Sequence, residues 1–259
     1  MSMRGFSIAA ALVFNLAAAA AFAAEPVVAL WYRGTPLGTP RLDDLAAIRA
    51  AGFEAITWPS GDTRAVAALS KLAQTLGLLL VIHPEGAAAS RIEGRLTIDA
   101  THLGATEIPA VAWRAVANGV RTISFDPGPG PGTGLDRPDG QRPEWVAPAA
   151  ALARQLSANA KLIDGLRRTA PPRFLSLKPP VLDVQLFEGV RAWVLIASNT
   201  GRRTVEAEVA LPKGVPYAIW VSLLDATTIA MVDRPEGARW KFRIDAGAAA
   251  VYVIDKGLK

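Results

Sequence analysis

The chain of 259 residues contains no cysteine, and this absence excludes several structural and catalytic classes. No disulfide framework can hold the fold together, so packing alone must do so. No thiolate is present to act as a nucleophile or as a metal ligand. The Gly-x-Ser-x-Gly motif that presents the nucleophile of many serine hydrolases is missing as well.

Clusters of positive charge are also missing. The formal net charge is +5, but the basic residues are scattered among acidic ones and form no run. We therefore do not expect nucleic acid as a partner. The segment Asp126–Gly134 alternates glycine with proline, which removes the N–H donors that a phosphate-binding loop needs, and no Lys-Ser/Thr pair follows it. We expect no cofactor.

The N-terminal residues have the pattern of a secretory signal peptide. Arg4 precedes an apolar stretch from Ile8 to Phe22, and Ala21-Phe22-Ala23 fits the small-x-small cleavage rule. The stretch is shorter than the roughly 20 residues that a spanning helix needs, which favours cleavage after Ala23 over a retained anchor. We expect residues 1–23 to be a signal peptide, and the mature chain to be periplasmic or secreted with no integral membrane segment.

Three short apolar runs predict neighbouring strands of a parallel sheet. They are Val27–Arg33, Phe53–Pro59 and Leu78–Glu85, each ending in polar or aromatic residues and each separated from the next by a stretch with helical spacing. Val120–Phe125 predicts a further strand and Arg95–Asp99 a short one. Ligands of α/β folds bind at the carboxyl edge of such strands, so we expect the site there.

The period of the hydrophobic pattern changes along the second half of the chain. Helical spacing predicts one long helix from about Glu144 to Arg168. Beyond Pro180 the period becomes two, with turn signals between short runs, which predicts an antiparallel β-sandwich. The predicted domains are therefore residues 24–176 and residues 177–259.

Three segments carry a resemblance to a known group of enzymes. Arg41–Pro59 resembles the first helix and second strand of a (β/α) barrel, and Ala112–Phe125 resembles the helix and strand that close one. Trp193–Asn199 is similar to a sandwich that commonly follows such barrels. In this order they resemble secreted glycoside hydrolases of the β-galactosidase and cellulase type, which implies carbohydrate as the substrate or ligand.

The predicted barrel is shortened. Residues 27–170 leave room for about five strands at roughly 30 residues per βα unit, whereas a complete barrel takes about 250 residues. The predicted fold class is α/β plus all-β: an incomplete or reduced (β/α) barrel-like parallel domain followed by an antiparallel β-sandwich. The missing units are expected between Glu85 and Gly94. The hydrolases that the chain resembles usually carry their general acid in an Asn-Glu pair, and this chain contains no such pair.

Carboxylates at predicted strand ends are the candidates for chemistry, because glycoside cleavage needs two carboxyl groups about 5–5.5 Å apart for retention or about 6.5–9.5 Å apart for inversion. Asp126 and Glu85 follow apolar strands and are the predicted catalytic pair, with acid/base and nucleophile roles unassigned. The alternative for Asp126 is capping or salt-bridging at a loop entrance. Asp99 and Glu107 are predicted to bind substrate. His83 could bond a sugar hydroxyl, and its alternative is a packed histidine.

Aromatic residues near strand ends could stack on sugar rings. The candidates are Trp31, Tyr32, Trp58 and Trp145, and the alternative for each is core packing. Side chains with metal-ligand chemistry are His83, Glu85, Asp99 and His102. Their spacing matches no recognised motif, so we expect no metal.

Three hypotheses follow for function. The chain is an exported glycoside-hydrolase-like protein that acts on or recognises an oligosaccharide or polysaccharide, as an O-glycosyl hydrolase if it is active. Alternatively it is a non-catalytic carbohydrate-binding protein, or a structural protein of the cell envelope, derived from such a barrel. The sequence predicts no oligomeric state.

Overall fold

The computed structural model of the protein describes residues 26–34, 38–59, 62–83, 94–128, 133–136, 141–175, 179–215, 219–225, 228–230 and 239–256. The predicted signal peptide and the candidate Glu85 lie outside these residues. In the described ranges, no helix is long and apolar enough to cross a membrane.

The first half of the chain forms a five-stranded parallel sheet. Its strands are β1 (Val27–Trp31), β2 (Ala55–Trp58), β3 (Leu79–Ile82), β4 (Arg95–Asp99) and β5 (Thr122–Asp126). They lie in the order β3-β2-β1-β5-β4. The last strand of this sheet in chain order, β5, therefore lies beside the first, β1, as in a barrel. Among the described residues, no strand joins β3 to β4, and this is where the sequence predicts the missing units.

In the described part of the chain, five helices accompany this sheet: α1 (Leu42–Ala50), α2 (Thr63–Thr75), α3 (Ile108–Ala117), α4 (Val146–Ala158) and α5 (Ala160–Asp164). Helix α2 begins at Asp62, whose carboxylate accepts a hydrogen bond from Arg64 N at 2.9 Å. A 3₁₀ turn at Ala105–Glu107 leads into α3.

The single long helix predicted from about Glu144 to Arg168 is wrong. The structure has two helices, α4 and α5, which are separated at Asn159. The Asn159 amide donates to Gln155 O at 2.8 Å, a side-chain bond that competes with the helical ladder. Arg167 and Arg168 are extended and form a two-residue strand.

The two faces of the parallel sheet differ in composition. Residues alternate between faces along a strand, and the outward set is large and apolar. Leu30, Ile56 and Phe125 on this face share one buried core with residues of α1 to α4. The inward set is small or polar at the centre of the sheet, with Ala29 and Ala55 fully buried.

The sheet is concave on its inward face. Thr57 Oγ1 of β2 and Ser124 Oγ of β5 are 2.7 Å apart, although β1 lies between their strands. Neighbouring strands are about 4.8 Å apart, so β2 and β5 would be roughly 9.6 Å apart in a flat sheet, beyond the reach of two short side chains. The edge strands also approach each other, because Arg95 Nη1 of β4 donates to Ile82 O of β3 at 2.8 Å.

The second half of the chain forms two antiparallel sheets. The strands are β6 (Arg167–Arg168), β7 (Arg173–Phe174), β8 (Leu182–Glu188), β9 (Ala192–Asn199), β10 (Val205–Ala210), β11 (Ile219–Ser222), β12 (Thr228–Ala230), β13 (Arg239–Ile244) and β14 (Ala249–Asp255). One sheet has the order β12-β11-β14-β9-β8-β6 and the other β13-β10-β7. Their facing sides share one apolar core, to which Leu195, Trp220 and Trp240 contribute. The predicted fold class, a reduced barrel-like parallel domain followed by an antiparallel β-sandwich, is confirmed.

The six-stranded sheet is buried on both faces where it meets α3. Phe187, Val194, Ile196 and Val251 belong to the same core as the parallel sheet and its helices. Residues of alternate parity on β8 and β9 face the smaller sheet instead. The predicted domain boundary after residue 176 stays a prediction; β6 and β7 lie before it and pair with β8 and β10.

A turn at Gly247 fixes the contact between the two halves. Gly247 O accepts a hydrogen bond from Ala110 N of α3 at 3.1 Å. Gly247 has a φ of +70°, and a Cβ there would lie 2.7 Å from Thr106 O and 3.0 Å from Glu107 Cα. The turn therefore needs both a left-handed conformation and the absence of a side chain.

We expect Gly247→Ala to lower the free energy of unfolding by more than Gly214→Ala does. Gly214 also has a positive φ, +89°, but an added Cβ there meets nothing within 4 Å. The control should cost about 1–2 kcal/mol from backbone strain alone, and Gly247→Ala about 1–3 kcal/mol more from the contact. Chemical denaturation measures both, and equal losses would show that the contact between the halves is not tight.

Candidate functional site

The carboxyl edge of the parallel sheet brings several predicted residues together. Trp31, Asp99 and Asp126 are the last residues of β1, β4 and β5, and all three belong to the inward set of side chains. Asp99 and Asp126 are register partners on adjacent strands. Two carboxylates therefore lie side by side at the rim of the concave face.

Asp126 is held by Arg33, which follows β1 by two residues. Arg33 Nη1 donates to Asp126 Oδ1 and Nη2 to Oδ2, both at 2.8 Å, and the side chains are 28% and 23% exposed. Nη1 also donates to Gly128 O at 2.8 Å, while Gly128 N donates to Asp126 Oδ1 at 3.0 Å. This bidentate pair fixes the carboxylate and the start of the loop after β5.

Gly128 also brings the loops after β4 and β5 into contact. Its φ is +96°, and a Cβ there would lie 2.7 Å from Thr101 Cγ2. The loop that carries Thr101 can therefore approach Asp126 closely only because residue 128 is glycine.

Asp99 forms a second, more exposed cluster with the two polar residues of its loop. Thr101 donates to Asp99 Oδ1 through its hydroxyl at 2.5 Å and through its backbone N–H at 2.9 Å. His102 Nδ1 lies 2.8 Å from Asp99 Oδ2 and 2.7 Å from Thr101 Oγ1. The hydrogen bond from the Thr101 hydroxyl, supported by its N–H and by His102, holds the pKa of Asp99 below its ordinary value.

His102 leaves its second ring nitrogen unused by this cluster. The side chains of His102 and Asp99 are 83% and 58% exposed. A histidine whose Nδ1 bonds a carboxylate has a fixed ring orientation. The cluster can thus offer carboxylate oxygens and an imidazole nitrogen to a ligand from solvent.

Trp31 and His83 line the concave face beneath this rim. Their ring centroids are 4.9 Å apart, and both residues are buried. The Arg33 guanidinium carbon lies 5.6 Å from the Trp31 ring centroid. Among the described residues, none accepts a hydrogen bond from Trp31 Nε1. His83 is thus a packed histidine in contact with Trp31.

The other predicted aromatic residues lie on the outward face, among the helices. Trp31 pairs in register with Thr57, so Trp58 points to the opposite side of the sheet. Trp58 contacts Tyr32, and Trp145 stacks on Phe125 with centroids 6.0 Å apart. Buried in this way, Tyr32, Trp58 and Trp145 present no ring face to solvent. Their substrate-binding roles stay predictions.

Glu107 serves the start of α3. Its Oε2 accepts a hydrogen bond from Gly104 N at 3.0 Å, which closes the 3₁₀ turn. Its role in binding substrate stays a prediction, as do the catalytic roles of Asp126 and Glu85. In the part of the chain that the structure describes, no three potential ligands are grouped to hold a metal ion.

The sequence pattern predicts no role for Arg33 or Thr101 and indicates His102 only as a possible metal ligand. The signal for Arg33 was available, since a barrel-like order places the first strand beside the last. A cation just after β1 then lies level with a carboxylate that ends β5. Asp99, Thr101 and His102 follow the spacing of an Asx turn, in which the carboxylate bonds the N–H two residues on.

We expect Arg33→Met to lower the free energy of unfolding by about 1–3 kcal/mol, because the largely buried Asp126 loses two charge-assisted bonds. Arg41→Met is the matched control. Arg41 lies 3.9 Å from Asp43, and the two side chains are 59% and 89% exposed. Its loss should cost less than about 1 kcal/mol. Urea denaturation of both variants gives the comparison, and equal effects would contradict a structural role for the Arg33 pair.

Tyr32 predicts a loss of stability at alkaline pH. Its hydroxyl donates to Asp44 Oδ2 and accepts from Arg41 N, both at 2.9 Å. Burial raises the pKa of Tyr32 well above its ordinary value, so the folded state keeps a proton that the unfolded state releases. The free energy of unfolding should therefore fall as pH rises above about 10.

Tyr32→Phe tests this expectation. The variant should be less stable at neutral pH by about 1–3 kcal/mol, because Arg41 N and Asp44 lose a partner. Its stability should fall less steeply than that of the wild type above about pH 10. Thermal melts across this pH range measure the stability of the variant and of the wild type. A stability difference between them that does not change with pH would contradict the proposed role of Tyr32.

No protein-family model matches the sequence, and none of the curated proteins is similar to it. Solved structures with some likeness are glycoside hydrolases. A GH30 endoxylanase from Clostridium papyrosolvens C71 is 14% identical with a TM-score of 0.39, and the match covers 83% of this chain and 51% of that one. An α-amylase from Geobacillus thermoleovorans is 11% identical with a TM-score of 0.43, covering 83% and 63%.

A GH27 β-L-arabinopyranosidase from Geobacillus stearothermophilus is 8% identical with a TM-score of 0.37, covering 83% of this chain and 60% of that one. The chain thus spans less than two thirds of the length of each of these three structures. Since every TM-score is below 0.5, these likenesses carry no argument about the activity of this chain.

Proposed function

We propose that this chain is an exported protein that recognises carbohydrate at the carboxyl edge of its parallel sheet and does not cleave it. The observation that carries the proposal is the register pair Asp99 and Asp126, each held by hydrogen-bond donors of the protein at the rim of a concave face. Export is supported by the signal-peptide pattern of residues 1–23.

The exposed cluster suits the hydroxyl groups of a sugar. The Asp99 carboxylate has lone pairs that face solvent and can accept hydrogen bonds from hydroxyl groups, which are stronger when the acceptor is ionised. His102 adds an imidazole nitrogen on the same loop. Thr101 and His102 already fix the Asp99 carboxylate, so binding a ligand would cost the protein little side-chain entropy.

The same hydrogen bonds make Asp99 poorly suited to the role of general acid. Glycoside cleavage needs a protonated carboxyl group as general acid, and enzymes obtain it by raising a pKa. The pKa of Asp99 is shifted in the opposite direction. Both carboxylate oxygens of Asp126 already accept hydrogen bonds from the protein, two from Arg33 and one from Gly128 N. The absence of an Asn-Glu pair in the sequence points the same way.

Affinity electrophoresis of the purified chain through gels that contain soluble polysaccharides tests the proposal. We expect retardation on at least one glycan and a loss of most of it in Asp99→Asn. Removing one charge-assisted acceptor should weaken binding by about tenfold or more. Asp164→Asn, an exposed residue at the end of α5, makes the same chemical change elsewhere and should bind as the wild type does.

Two outcomes would contradict the proposal. The first is mobility unchanged on every glycan. The second is turnover of aryl-glycosides or polysaccharides that Asp126→Asn abolishes while circular dichroism shows a folded variant, since that result would make the chain a hydrolase.

A further inference from the structure

A cavity lies at the opposite edge of the parallel sheet from Asp126. Its volume is ≈ 280 Å³, and it is bounded by the C-terminal end of α3, the α5 segment and the strands β6, β8 and β9. Arg121, which enters the cavity, immediately precedes β5 and so marks the amino edge. This cavity is therefore separate from the carbohydrate site proposed above.

The wall of the cavity is apolar and shielded. Val116 of α3, Phe187 of β8 and Ile196 of β9 line it, and they are 4%, 7% and 2% exposed. The volume is just below the range of about 300–1,000 Å³ that drug-sized ligands occupy. A small, compact apolar group fits such a space.

Two arginines provide the polar part of the lining. Arg168 of β6 is the register partner of Phe187, so its side chain leaves the sheet on the cavity face. Arg121 Nη1 donates to Val120 O at 3.3 Å, and among the described residues no acceptor bonds its other guanidinium N–H groups. Within the described part of the chain, neither Arg121 nor Arg168 is paired with a carboxylate.

The remaining polar group of the lining is already engaged. The Asn118 amide donates to Arg114 O at 2.8 Å, and its oxygen accepts from Gln185 Nε2 at 3.4 Å. The choice of ligand charge is therefore left to the two guanidinium groups, which favour a planar anion such as a carboxylate.

We propose that this cavity binds a small amphiphilic carboxylate. The carboxylate contacts Arg121 and Arg168 at the mouth, and the apolar body lies against Phe187 and Ile196. Selective binding needs both the apolar wall and the two arginines. The wall alone would give affinity without selectivity, and the arginines alone are two cations at a surface.

Benzoate is the probe, and benzamide is its neutral match in size and shape. Ligand-observed NMR on the full purified chain should give saturable binding of benzoate and at least about tenfold weaker binding of benzamide. Arg121→Gln and Arg168→Gln should each lower benzoate affinity by several-fold and leave benzamide unaffected. In protein-observed spectra, titration with benzoate should shift the backbone amide signals of Gly119 and Phe187 most. The amide signal of Trp31 should not shift.

Arg202→Gln is the matched control. Arg202 is exposed in the bend after β9, and its substitution removes the same charge outside the cavity lining. It should retain full benzoate affinity. Equal binding of benzoate and benzamide, no saturation with benzoate at millimolar concentration, or equal losses in the Arg202 variant would each overturn the proposal. So would a loss in only one of the two cavity variants, since the site then would not use both arginines.

Discussion

The pairing of β1 with β2 on one side and with β5 on the other is the constraint on which the rest of the structure depends. It places the first and last strands of the parallel sheet side by side, so Arg33 after β1 reaches Asp126 at the end of β5. It also lets the Thr57 and Ser124 hydroxyls meet across β1, which curves the sheet. A shift of β1 by one residue would move its inward set outward and separate both contacts.

Much of the layout could be predicted from the sequence. The apolar runs predict β1, β2, β3 and β5, and the change of period beyond Pro180 predicts the antiparallel sheets. These predictions succeed because the hydrophobic period of a segment shows which face of a strand or helix is buried. The expectation that polar residues gather at the carboxyl edge follows from strand direction alone, and Asp99 and Asp126 do lie together there.

The features that the sequence does not predict depend on strand register and on side-chain hydrogen bonds that compete with the backbone. Trp31 and Trp58 both end strands, but their registers place them on opposite faces, and no local pattern contains that information. The interruption at Asn159 arises from a side-chain bond that helical spacing does not reveal. The pairing of Arg33 with Asp126 joins residues 93 positions apart, so only the strand order predicts it.

The open gap in the sheet explains why Arg95 is placed where it is. A parallel sheet that stops before closure has two edges whose N–H and C=O groups lack strand partners. Arg95 at the start of β4 reaches the last carbonyl of β3 and so ties the two edges together. In a complete barrel other strands would fill this gap. Among the described residues, the long side chain of Arg95 spans it, which a shorter residue could not do.

The two edges of the sheet present different ionised side chains. The carboxyl edge presents Asp99 and Asp126, and the amino edge presents Arg121 beside the C-terminal end of α3. The C-terminus of a helix carries about half a negative charge, which partly offsets a nearby cation. Two guanidinium groups exceed that offset, so the cavity stays positive overall. On the two proposals above, the carboxyl edge binds hydroxyl groups and the amino edge binds an anion, so neither ligand competes for the other site.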